Sequence, residues 1–361
     1  MQSSKNLDMN LTHRISIYGV VATELALLSD QRLLEAISRA TPIGTSIGGM
    51  TYSMEISGTP VFVKKIPLTD MEKRPENRMS TANLFGLPLF CQYGVGSIGS
   101  PGFGAWRELA AHTMSTNWVV AGQCPSFPLM YHWRVLPGVP PIPDEHKNID
   151  DSVKYWNDSL SVRKRLEAKQ KASAEIVIFL EYFPQELHDW FKTQVGEAGK
   201  AAVTAVKMVE NNLLEITSFM HARGFLHFDA HFRNILTDGH RLYFTDFGLA
   251  TCAQFELSEI EADFFRLHRD YDRYLTVTNL VNLLVAPLAG AENANSILAK
   301  YMTGKEIKCG DPSITSVIKR YAPVAMAMNK FYQKFRSETR TALFPAAELE
   351  SVCSLKNLWR S

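Results

Sequence analysis

FLHFDAHFRNILTDGHRLYFTDFGLA, residues 225–250, is the stretch of this sequence from which the architecture of the chain can be worked out. It contains two short apolar runs, at 235–236 and 242–245, on either side of Thr-Asp-Gly at 237–239. Short β-prone runs that flank a glycine-containing turn are typical of a β-hairpin. The stretch therefore predicts a loop, a short strand, a hairpin turn, a second short strand and another loop.

Three polar side chains lie at the ends of this predicted hairpin. Asp229 and Asn234 lie on the loop that enters it, and Asp246 lies on the loop that leaves it. Because both loops are at the same end of a two-stranded ribbon, we expect the three side chains to converge. Convergent carboxylate and amide oxygens suit a hard divalent cation that also binds phosphate. The alternative is a capped hairpin in which these side chains only satisfy backbone donors.

The spacing of these residues follows a known pattern. His227, Asp229 and Asn234 form H-x-D-x-x-x-x-N, and Asp-Phe-Gly follows at 246–248. This pattern resembles the catalytic loop and the metal loop of the protein-kinase superfamily. The resemblance implies that Asp229 orients the acceptor hydroxyl and takes its proton. It also implies that Asn234 and Asp246 hold Mg²⁺, which bridges the phosphates of ATP.

Two positions depart from the usual serine/threonine protein kinases. His231 stands where those enzymes carry lysine, and D-x-H-x-x-N is similar to the aminoglycoside phosphotransferases and related small-molecule kinases. Phe228 replaces the arginine that reads activation-loop phosphorylation in many protein kinases, and no A-P-E motif follows the Asp-Phe-Gly. These features predict a site that assembles without phosphorylation, with His231 among its catalytic candidates.

A glycine-containing pattern near the start of the chain predicts two strands joined by a turn. Gly44, Gly48 and Gly49 would let backbone N–H groups approach an anion closely, although an ordinary hairpin turn is the alternative. Lys64 follows at the end of Val-Phe-Val-Lys, which resembles the third-strand lysine of kinases and implies a contact to the α and β phosphates. A register slip of one residue would make Lys65 the functional lysine instead.

The resemblance extends to a helix and to the end of a later strand. Glu108 lies on a predicted helix and is the candidate that holds Lys64 in place, although a solvated glutamate is the alternative. The predicted strand at 175–183 ends in Leu-Glu-Tyr-Phe, which is similar to the hinge between the two lobes of a kinase. By that likeness, Glu181 and Phe183 offer backbone groups to the adenine base.

Composition limits the class of protein and its partners. Lys and Arg total 38 against 37 Asp and Glu, a balance that argues against nucleic-acid and membrane-surface binding. The most apolar N-terminal segment, 15–28, is too short to span a bilayer and is interrupted by Glu24. The scattered cysteines are Cys91, Cys124, Cys252, Cys309 and Cys353. Without a C-x-x-C pair they predict reduced thiols, and we expect a cytoplasmic protein.

Five further segments give local predictions. The apolar run 84–93 predicts a strand, and the glycine-rich 94–102 lacks the Gly-Lys-Ser/Thr of a Walker loop, so it is interpreted as a mobile insertion. The charged residues 162–169 predict a surface helix. Asp30 is expected to be a helix N-cap. Asp272 resembles the aspartate that anchors the kinase catalytic loop from beneath, although an exposed helix aspartate is the alternative.

Together these patterns predict an α+β, bilobal, protein-kinase-like fold, with a small antiparallel N-lobe sheet and a mainly helical C-lobe. The expected divisions are a helical extension at 1–40, an N-lobe at 41–183 with insertions at 66–104 and 138–174, and a C-lobe at 184–361 that carries the catalytic and metal loops.

Three functions follow from the resemblance. The first is an ATP-dependent kinase that transfers the γ-phosphate of Mg-ATP to a protein Ser/Thr hydroxyl. The second is a small-molecule kinase that phosphorylates an antibiotic or a sugar. The third is a nucleotide-binding pseudokinase, which is disfavoured because Lys64, Asp229, Asn234 and Asp246 are all present.

Overall fold

The fold was analysed in a computed structural model of the chain. It describes residues 2–46, 49–96, 98–139, 147–197, 199–289, 294–303, 311–356 and 358. Gly48 and Cys309 lie outside the described residues. The chain divides into two compact units, which we call the sheet unit (Met1–Phe183 and Asp246–Ser258) and the helical unit (Pro184–Thr245 and Glu259–Ser361). Residues 246–258, which the sequence analysis assigned to the second domain, thus group with the first unit.

The sheet unit is built on a five-stranded antiparallel sheet. Its strands are β1 (Thr41–Ser46), β2 (Gly49–Ile56), β3 (Thr59–Leu68), β4 (Met130–Pro137) and β5 (Ala174–Glu181), in the spatial order β1-β2-β3-β5-β4. Its helices are α1 (Gln2–Leu27), α2 (Asp30–Ser38), α3 (Asp70–Lys73), α4 (Ala105–Val120), α5 (Ile149–Tyr155) and α6 (Leu160–Gln170). A two-residue strand at Thr251–Cys252 and single 3₁₀ turns at Pro75–Asn77 and Leu89–Gln92 complete it.

The centre of this sheet carries the core. All but the last residue of β5 are buried, and Ile176 and Ile178 belong to one apolar cluster with Leu68 of β3 and Trp106 and Leu109 of α4. Successive residues of a strand point to opposite faces. The side chains of β3 at even positions, Leu68 among them, therefore face α4.

The helical unit supplies the mostly helical remainder of the α+β fold. Its helices are α7 (Leu187–Gly196), α8 (Gly199–Ala222), α9 (Glu259–Leu267), α10 (Tyr271–Ala289), α11 (Ala294–Met302), α12 (Pro312–Ser337) and α13 (Ala346–Lys356). Its strands are β6 (Gln185–Glu186), β7 (Phe225–Leu226), β8 (Ile235–Thr237) and β9 (Leu242–Phe244), and β6, β8 and β9 form a small sheet.

The predicted hairpin at 235–244 is present in the helical unit. Ile235 pairs with Phe244 and Thr237 pairs with Leu242 in antiparallel register. Asp238 holds the turn, because its Oδ1 accepts hydrogen bonds from the backbone N–H groups of the residues at 240 and 241. The helix α8 has a buried face along its length, which includes Val206, Val209, Leu213, Ile216 and Met220.

Three local predictions were wrong. The run 84–93 forms a 3₁₀ turn rather than a strand, because Gly86 has a left-handed φ of 62° and Pro88 lacks a backbone donor. The N-cap of α2 is Ser29, whose side chain accepts from the N–H of Arg32, so Asp30 is the first helical residue. The segment 162–169 is helical but not a surface helix, because Arg165 on α6 is only 3% exposed.

Two compositional expectations can also be compared with the described residues. Cys91, Cys124, Cys252 and Cys353 are buried, and none of these four takes part in a disulfide bond. Over the ranges that the structure covers, none of the helices combines the length and apolar character needed to cross a lipid bilayer.

Candidate functional site

Lys64 lies in the middle of β3, opposite Ile178 of β5. Its even position turns its side chain to the face that carries α4, and it is only 3% exposed. Lys65 points to the other face, where its Nζ lies 3.2 Å from the carboxylate of Glu175. Of the two lysines left open by the sequence, Lys64 is therefore the one that is buried beside Glu108.

Lys64 is held between two carboxylates of the sheet unit. Its Nζ lies 2.6 Å from Oε1 of Glu108 on α4 and 2.7 Å from Oδ1 of Asp246. The predicted ion pair between Lys64 and Glu108 is thus present, and Asp246 joins it. Two carboxylates on one ammonium leave one negative charge in excess when all three groups are ionised.

Burial and charge oppose each other in this cluster. Burial alone would lower the pKa of Lys64, but the carboxylates of Asp246 and Glu108 outweigh it and raise that pKa above its ordinary value. Burial also raises the pKa of Glu108, and Lys64 offsets only part of that rise. Lys64 therefore stays charged, and removal of its partners would leave an expensive buried ammonium.

The backbone at Asp246 is in an unusual conformation. Its φ is 61°, in the left-handed region that non-glycine residues rarely adopt, and such strain is often found at functional sites. Phe247 is fully buried, and its ring lies 4.7 Å from that of His112 on α4. A Cβ at Gly248 would lie 3.4 Å from Asp246 Oδ1, so glycine leaves the space beside the carboxylate open. The Asp-Phe-Gly segment is therefore fixed with its carboxylate at Lys64.

The helical unit brings together three other residues of the predicted site, Asp229, His231 and Asn234. The side-chain N–H groups of Asn234 donate to the backbone O of Asp229 at 3.0 Å and to its Oδ2 at 2.9 Å. His231 Nε2 lies 3.7 Å from the other carboxylate oxygen of Asp229. Because the amide nitrogen of Asn234 is engaged, its Oδ1 is the atom suited to a cation. The Asp229 and His231 side chains are partly exposed, at 24% and 37%.

Two buried contacts hold this 227–234 loop. Asp272 of α10 accepts hydrogen bonds from the backbone N–H groups of His227 at 2.7 Å and Phe228 at 2.9 Å, which confirms its predicted anchoring role. Burial raises the pKa of Asp272 to about 7, although both donors oppose the rise. His227 Nε2 lies 2.8 Å from the backbone O of Thr245, and the N–H of Thr245 donates to the O of Asn234. The loop is thus tied to the residue that precedes Asp246 in the sequence.

Phe228, which stands in place of the kinase arginine, belongs to an aromatic cluster. It is 1% exposed, has a φ of 62°, and its ring centroid lies 5.0 to 5.8 Å from those of Phe264, His268 and Tyr271. Burial lowers the pKa of His268 to about 4. Phe228 is therefore part of a buried aromatic core.

The predicted adenine contacts are partly committed to other bonds. The backbone N–H of Glu181 donates to the O of Leu129 at 2.8 Å, so this donor is already used. The carboxylate of Glu181 binds Arg14 of α1 through two hydrogen bonds of 2.7 and 2.8 Å. The N–H of Glu181 is therefore not available to an adenine base, and contacts of Glu181 and Phe183 with adenine stay a prediction.

The predicted phosphate turn is described only in part. Gly44 lies inside β1, and its carbonyl accepts a hydrogen bond from Thr51 Oγ1 at 2.9 Å. Gly49 opens β2. The turn at 47–48, with Gly48, lies outside the described residues, so its proposed contact with phosphate stays a prediction.

The oxygen atoms of Asp246 and Asn234 have the chemistry that Mg²⁺ prefers, which is hard, anionic or amide oxygen. Among the residues that the structure covers, no group of three or more His, Cys, Asp and Glu side chains is arranged to hold a metal ion.

Three residues near these groups escaped the sequence analysis. Arg14, Glu72 and Arg165 are buried and charged, and each bonds to a partner far away in the sequence. The sequence around Arg14 and Arg165 does not indicate these distant contacts. Around Glu72, the sequence Thr69-x-x-Glu72 is that of a capping box, which is present in the structure, but it does not indicate the contact with Arg165.

The chain was also compared with known proteins. No protein-family model matches it, and no match was found among the curated proteins.

Proposed function

We propose that this protein is an ATP-dependent phosphotransferase of the protein-kinase-like superfamily, which moves the γ-phosphate of ATP to a hydroxyl acceptor. The observation that carries the proposal is the buried Lys64, held between Glu108 on the facing helix and the partly exposed Asp246. The two units, one with a small antiparallel sheet and one mainly helical, are proposed to be the two lobes of such a kinase.

The charge arrangement favours a nucleotide site over a purely structural ion pair. A structural lysine needs one carboxylate, whereas Lys64 has two, and Asp246 is 31% exposed while Lys64 and Glu108 are nearly inaccessible. A partly exposed carboxylate and a buried lysine that lie side by side can together bind a metal-bound polyphosphate. The lysine ammonium binds the phosphate oxygens, and the carboxylate binds the cation. Lys64 is thus proposed to bind the α and β phosphates, with Glu108 holding its ammonium in position.

The acceptor chemistry is assigned to the 227–234 loop. Asp229 accepts a hydrogen bond from the acceptor hydroxyl and takes its proton as the hydroxyl oxygen bonds to the γ-phosphorus. The bond between that phosphorus and the β–γ bridging oxygen breaks, and ADP leaves with the electron pair. Asn234 supports this role, because its amide already donates to the Asp229 carboxylate and fixes the direction of the remaining lone pairs.

Asn234 Oδ1 and the carboxylate of Asp246 are the residues proposed to hold Mg²⁺. When bound, this ion neutralises charge that develops on the phosphate oxygens. The assignment follows the spacing of the sequence motif, in which Asn234 directly precedes the hairpin at 235–244 and Asp246 follows it after one intervening residue.

A protein Ser/Thr is the first proposed acceptor, and a small molecule such as an aminoglycoside or sugar is the alternative. The alternative is favoured by His231, which is partly exposed and 3.7 Å from Asp229, where protein kinases carry a lysine. It is also favoured by Phe228, because this apolar side chain is 1% exposed within an aromatic cluster and cannot bind the phosphate of a phosphorylated loop.

The proposal is tested with purified protein, γ-labelled ATP, Mg²⁺ and two acceptor panels, one of generic protein substrates and one of aminoglycosides and sugars. We expect labelled acceptor from the wild type and none from Asp229→Asn, which should still bind Mg-ATP. Asp189→Asn, an exposed carboxylate on α7, is the control and should keep wild-type turnover.

Each result of this assay has a definite meaning. Label on small molecules alone would replace the protein-substrate hypothesis with the alternative. Nucleotide binding without label on either panel or on the protein itself would indicate a pseudokinase. Failure to bind Mg-ATP, measured by calorimetry, would overturn the proposed function.

A further inference from the structure

The N-terminus of α4, the helix that carries Glu108, is capped by a residue from another segment of the chain. Gly104 is the N-cap of α4 and has no side chain to bind the first N–H groups of the helix. Glu72 of α3 takes over this function: its Oε1 accepts from the N–H of Ala105 at 2.8 Å, and its backbone O accepts from Nε1 of Trp106 at 2.9 Å. The start of α4 is therefore set by Glu72, since uncapped N–H groups at a helix end need a partner.

Glu72 is a buried charge with a full set of partners. It is 1% exposed, and its Oε2 accepts from the N–H of Thr69 at 3.0 Å and from its hydroxyl at 2.6 Å. The same oxygen lies 2.9 Å from Nη1 of Arg165. Burial would raise the pKa of Glu72, but the charge of Arg165 and the hydrogen bonds lower it, so Glu72 remains ionised.

Arg165 comes from α6, in the segment that the sequence analysis treated as an insertion. It is 3% exposed, its Nε donates to the O of Gly102 at 3.2 Å, and its guanidinium lies 4.9 Å from the ring centroid of Phe85. Arg165 thus touches both Glu72 and the glycine-rich segment that leads into α4.

Neighbouring residues of the same insertion bind further carbonyls of that glycine-rich segment. The hydroxyl of Tyr155 donates to the O of Val95 at 3.0 Å, and Nε1 of Trp156 donates to the O of Gly99 at 3.1 Å. The segment 94–102 was predicted to be a mobile insertion, but its described carbonyls at 95, 99 and 102 are held by α5, the residue after α5, and α6. Tyr155, Trp156 and Arg165 of the insertion, which we call the brace, therefore hold the segment that leads into α4.

The brace is one helical turn away from Glu108, the partner of Lys64. Glu108 follows Ala105 by three residues, and its N–H donates to the O of Gly104. A movement of the first turn of α4 would move the Glu108 carboxylate away from Lys64, which it meets at 2.6 Å. Misplacement of a charged group by about 1 Å is enough to lower activity by about a hundredfold.

We propose that Glu72 and Arg165 are positioning residues, which set Glu108 against Lys64 and so prepare Lys64 for the phosphates of ATP. This inference rests on the proposed phosphotransferase function. It assigns the inserted helix α6 a role in the nucleotide site, although Arg165 itself touches neither Lys64 nor Glu108 in any contact that the structure records.

A purely structural ion pair would also weaken the protein when it is broken, so the experiment has to separate the two roles. The test variants are Arg165→Met and Glu72→Gln, and Arg165→Lys is the conservative variant. The control is Arg163→Met, which makes the same substitution two residues away on α6 at a partly exposed position that pairs with exposed Asp150. Each is measured in the full chain for Mg-ATP affinity by calorimetry and for amide exchange of residues 105–112 without nucleotide.

We expect Arg165→Met to weaken Mg-ATP binding by about tenfold or more, to speed exchange at 105–112, and to leave the kcat of saturated enzyme less affected than KM. Arg165→Lys should recover most of the affinity, and Arg163→Met should match the wild type. In a Glu108→Gln background, Arg165→Met should cause no further loss of affinity, because its effect passes through Glu108.

Other results overturn the inference. Unchanged Mg-ATP affinity in Arg165→Met would show that the Glu72–Arg165 pair has only a structural role. The same conclusion would follow if Arg165→Met lowered the affinity by the same factor with and without Glu108→Gln. If Arg165→Met does not fold, Glu72→Gln is judged by the same measurements. If the wild type binds no Mg-ATP, the proposed function fails, and positioning is then decided by exchange alone: faster exchange confined to 105–112 supports it and unchanged exchange refutes it.

Discussion

The carboxylate of Asp272 accepts a hydrogen bond from the backbone N–H of His227 at 2.7 Å. Its other oxygen accepts from the N–H of Phe228, so one buried side chain of α10 fixes the start of the loop that carries Asp229. Burial raises the pKa of Asp272 to about 7, although the two donors oppose this rise. The geometry of the 227–234 loop therefore depends on a carboxyl group that titrates near neutral pH.

We predict that Asp272→Asn changes how the free energy of unfolding depends on pH. Because the folded-state pKa of about 7 lies above the ordinary 3.8, the folded protein binds a proton that the unfolded chain releases. Acidification from pH 7 to pH 4 therefore stabilises the wild type at this position, by up to about 4 kcal/mol. Asparagine cannot titrate, so urea unfolding between pH 4.5 and 7.5 should show this gain lost. An unchanged slope in Asp272→Asn contradicts the prediction.

His268 should contribute to the pH dependence of the free energy of unfolding with the opposite sign. It is 1% exposed, its ring lies 4.4 Å from that of Phe344, and burial lowers its pKa from 6.5 to about 4. The unfolded chain takes up a proton first as the pH falls, so stability from this group is present above pH 6.5 and is lost towards pH 4, by up to about 3 kcal/mol.

We therefore predict that His268→Phe makes the protein less sensitive to acid. Phenylalanine keeps an aromatic ring in the cluster and cannot be protonated. In the wild type the two buried groups offset each other between pH 6.5 and pH 4. Urea unfolding of both single variants should give slopes that differ from the wild type in opposite directions, and slopes of the same sign would show that one pKa assignment is wrong.

The parts of the structure that the sequence predicted are those whose residues are close in the chain or follow a spaced motif. The hairpin at 235–244 could be predicted because its apolar runs and its Asp-Gly turn are adjacent. The ion pair of Lys64 with Glu108, and the contact of Asp272 with the 227–234 loop, follow from the resemblance to kinases rather than from local propensity. Whether these residues bind ATP and Mg²⁺ stays a prediction.

The parts that could not be predicted depend on partners far away in the sequence. The charged segment that forms α6 has the composition of a solvated helix, and only the position of Glu72 shows why Arg165 is buried. Nothing near Gly104 indicates that α4 takes its cap from another helix. The side chain of Glu181 is likewise engaged by Arg14 of α1, which a reading of the hinge motif alone does not include.

The two adjacent lysines of β3 provide a matched pair for testing the nucleotide site. Lys64→Met should reduce Mg-ATP affinity by about ten- to a hundredfold, because it removes a charge-assisted contact to phosphate. Lys65→Met should leave the affinity within about twofold, since Lys65 faces the other side of the sheet and pairs with Glu175. Calorimetric titration of both variants measures the difference. Equal losses, or a larger loss in Lys65→Met, would refute Lys64 as the phosphate-binding lysine.

Asp246→Ala should abolish the thermal stabilisation that Mg-ATP gives to the protein. The variant should still fold, because Lys64 keeps Glu108 as a partner at 2.6 Å and the buried ammonium stays neutralised. Without the carboxylate of Asp246, the cation loses its anionic protein ligand, and the affinity for the metal–nucleotide complex falls with it. Thermal unfolding is measured with Mg-ATP and with ATP plus a chelator. Asp70→Ala, an exposed carboxylate of the same unit, should behave as the wild type. A Mg²⁺-dependent shift that persists in Asp246→Ala would mean that the cation is held by other residues.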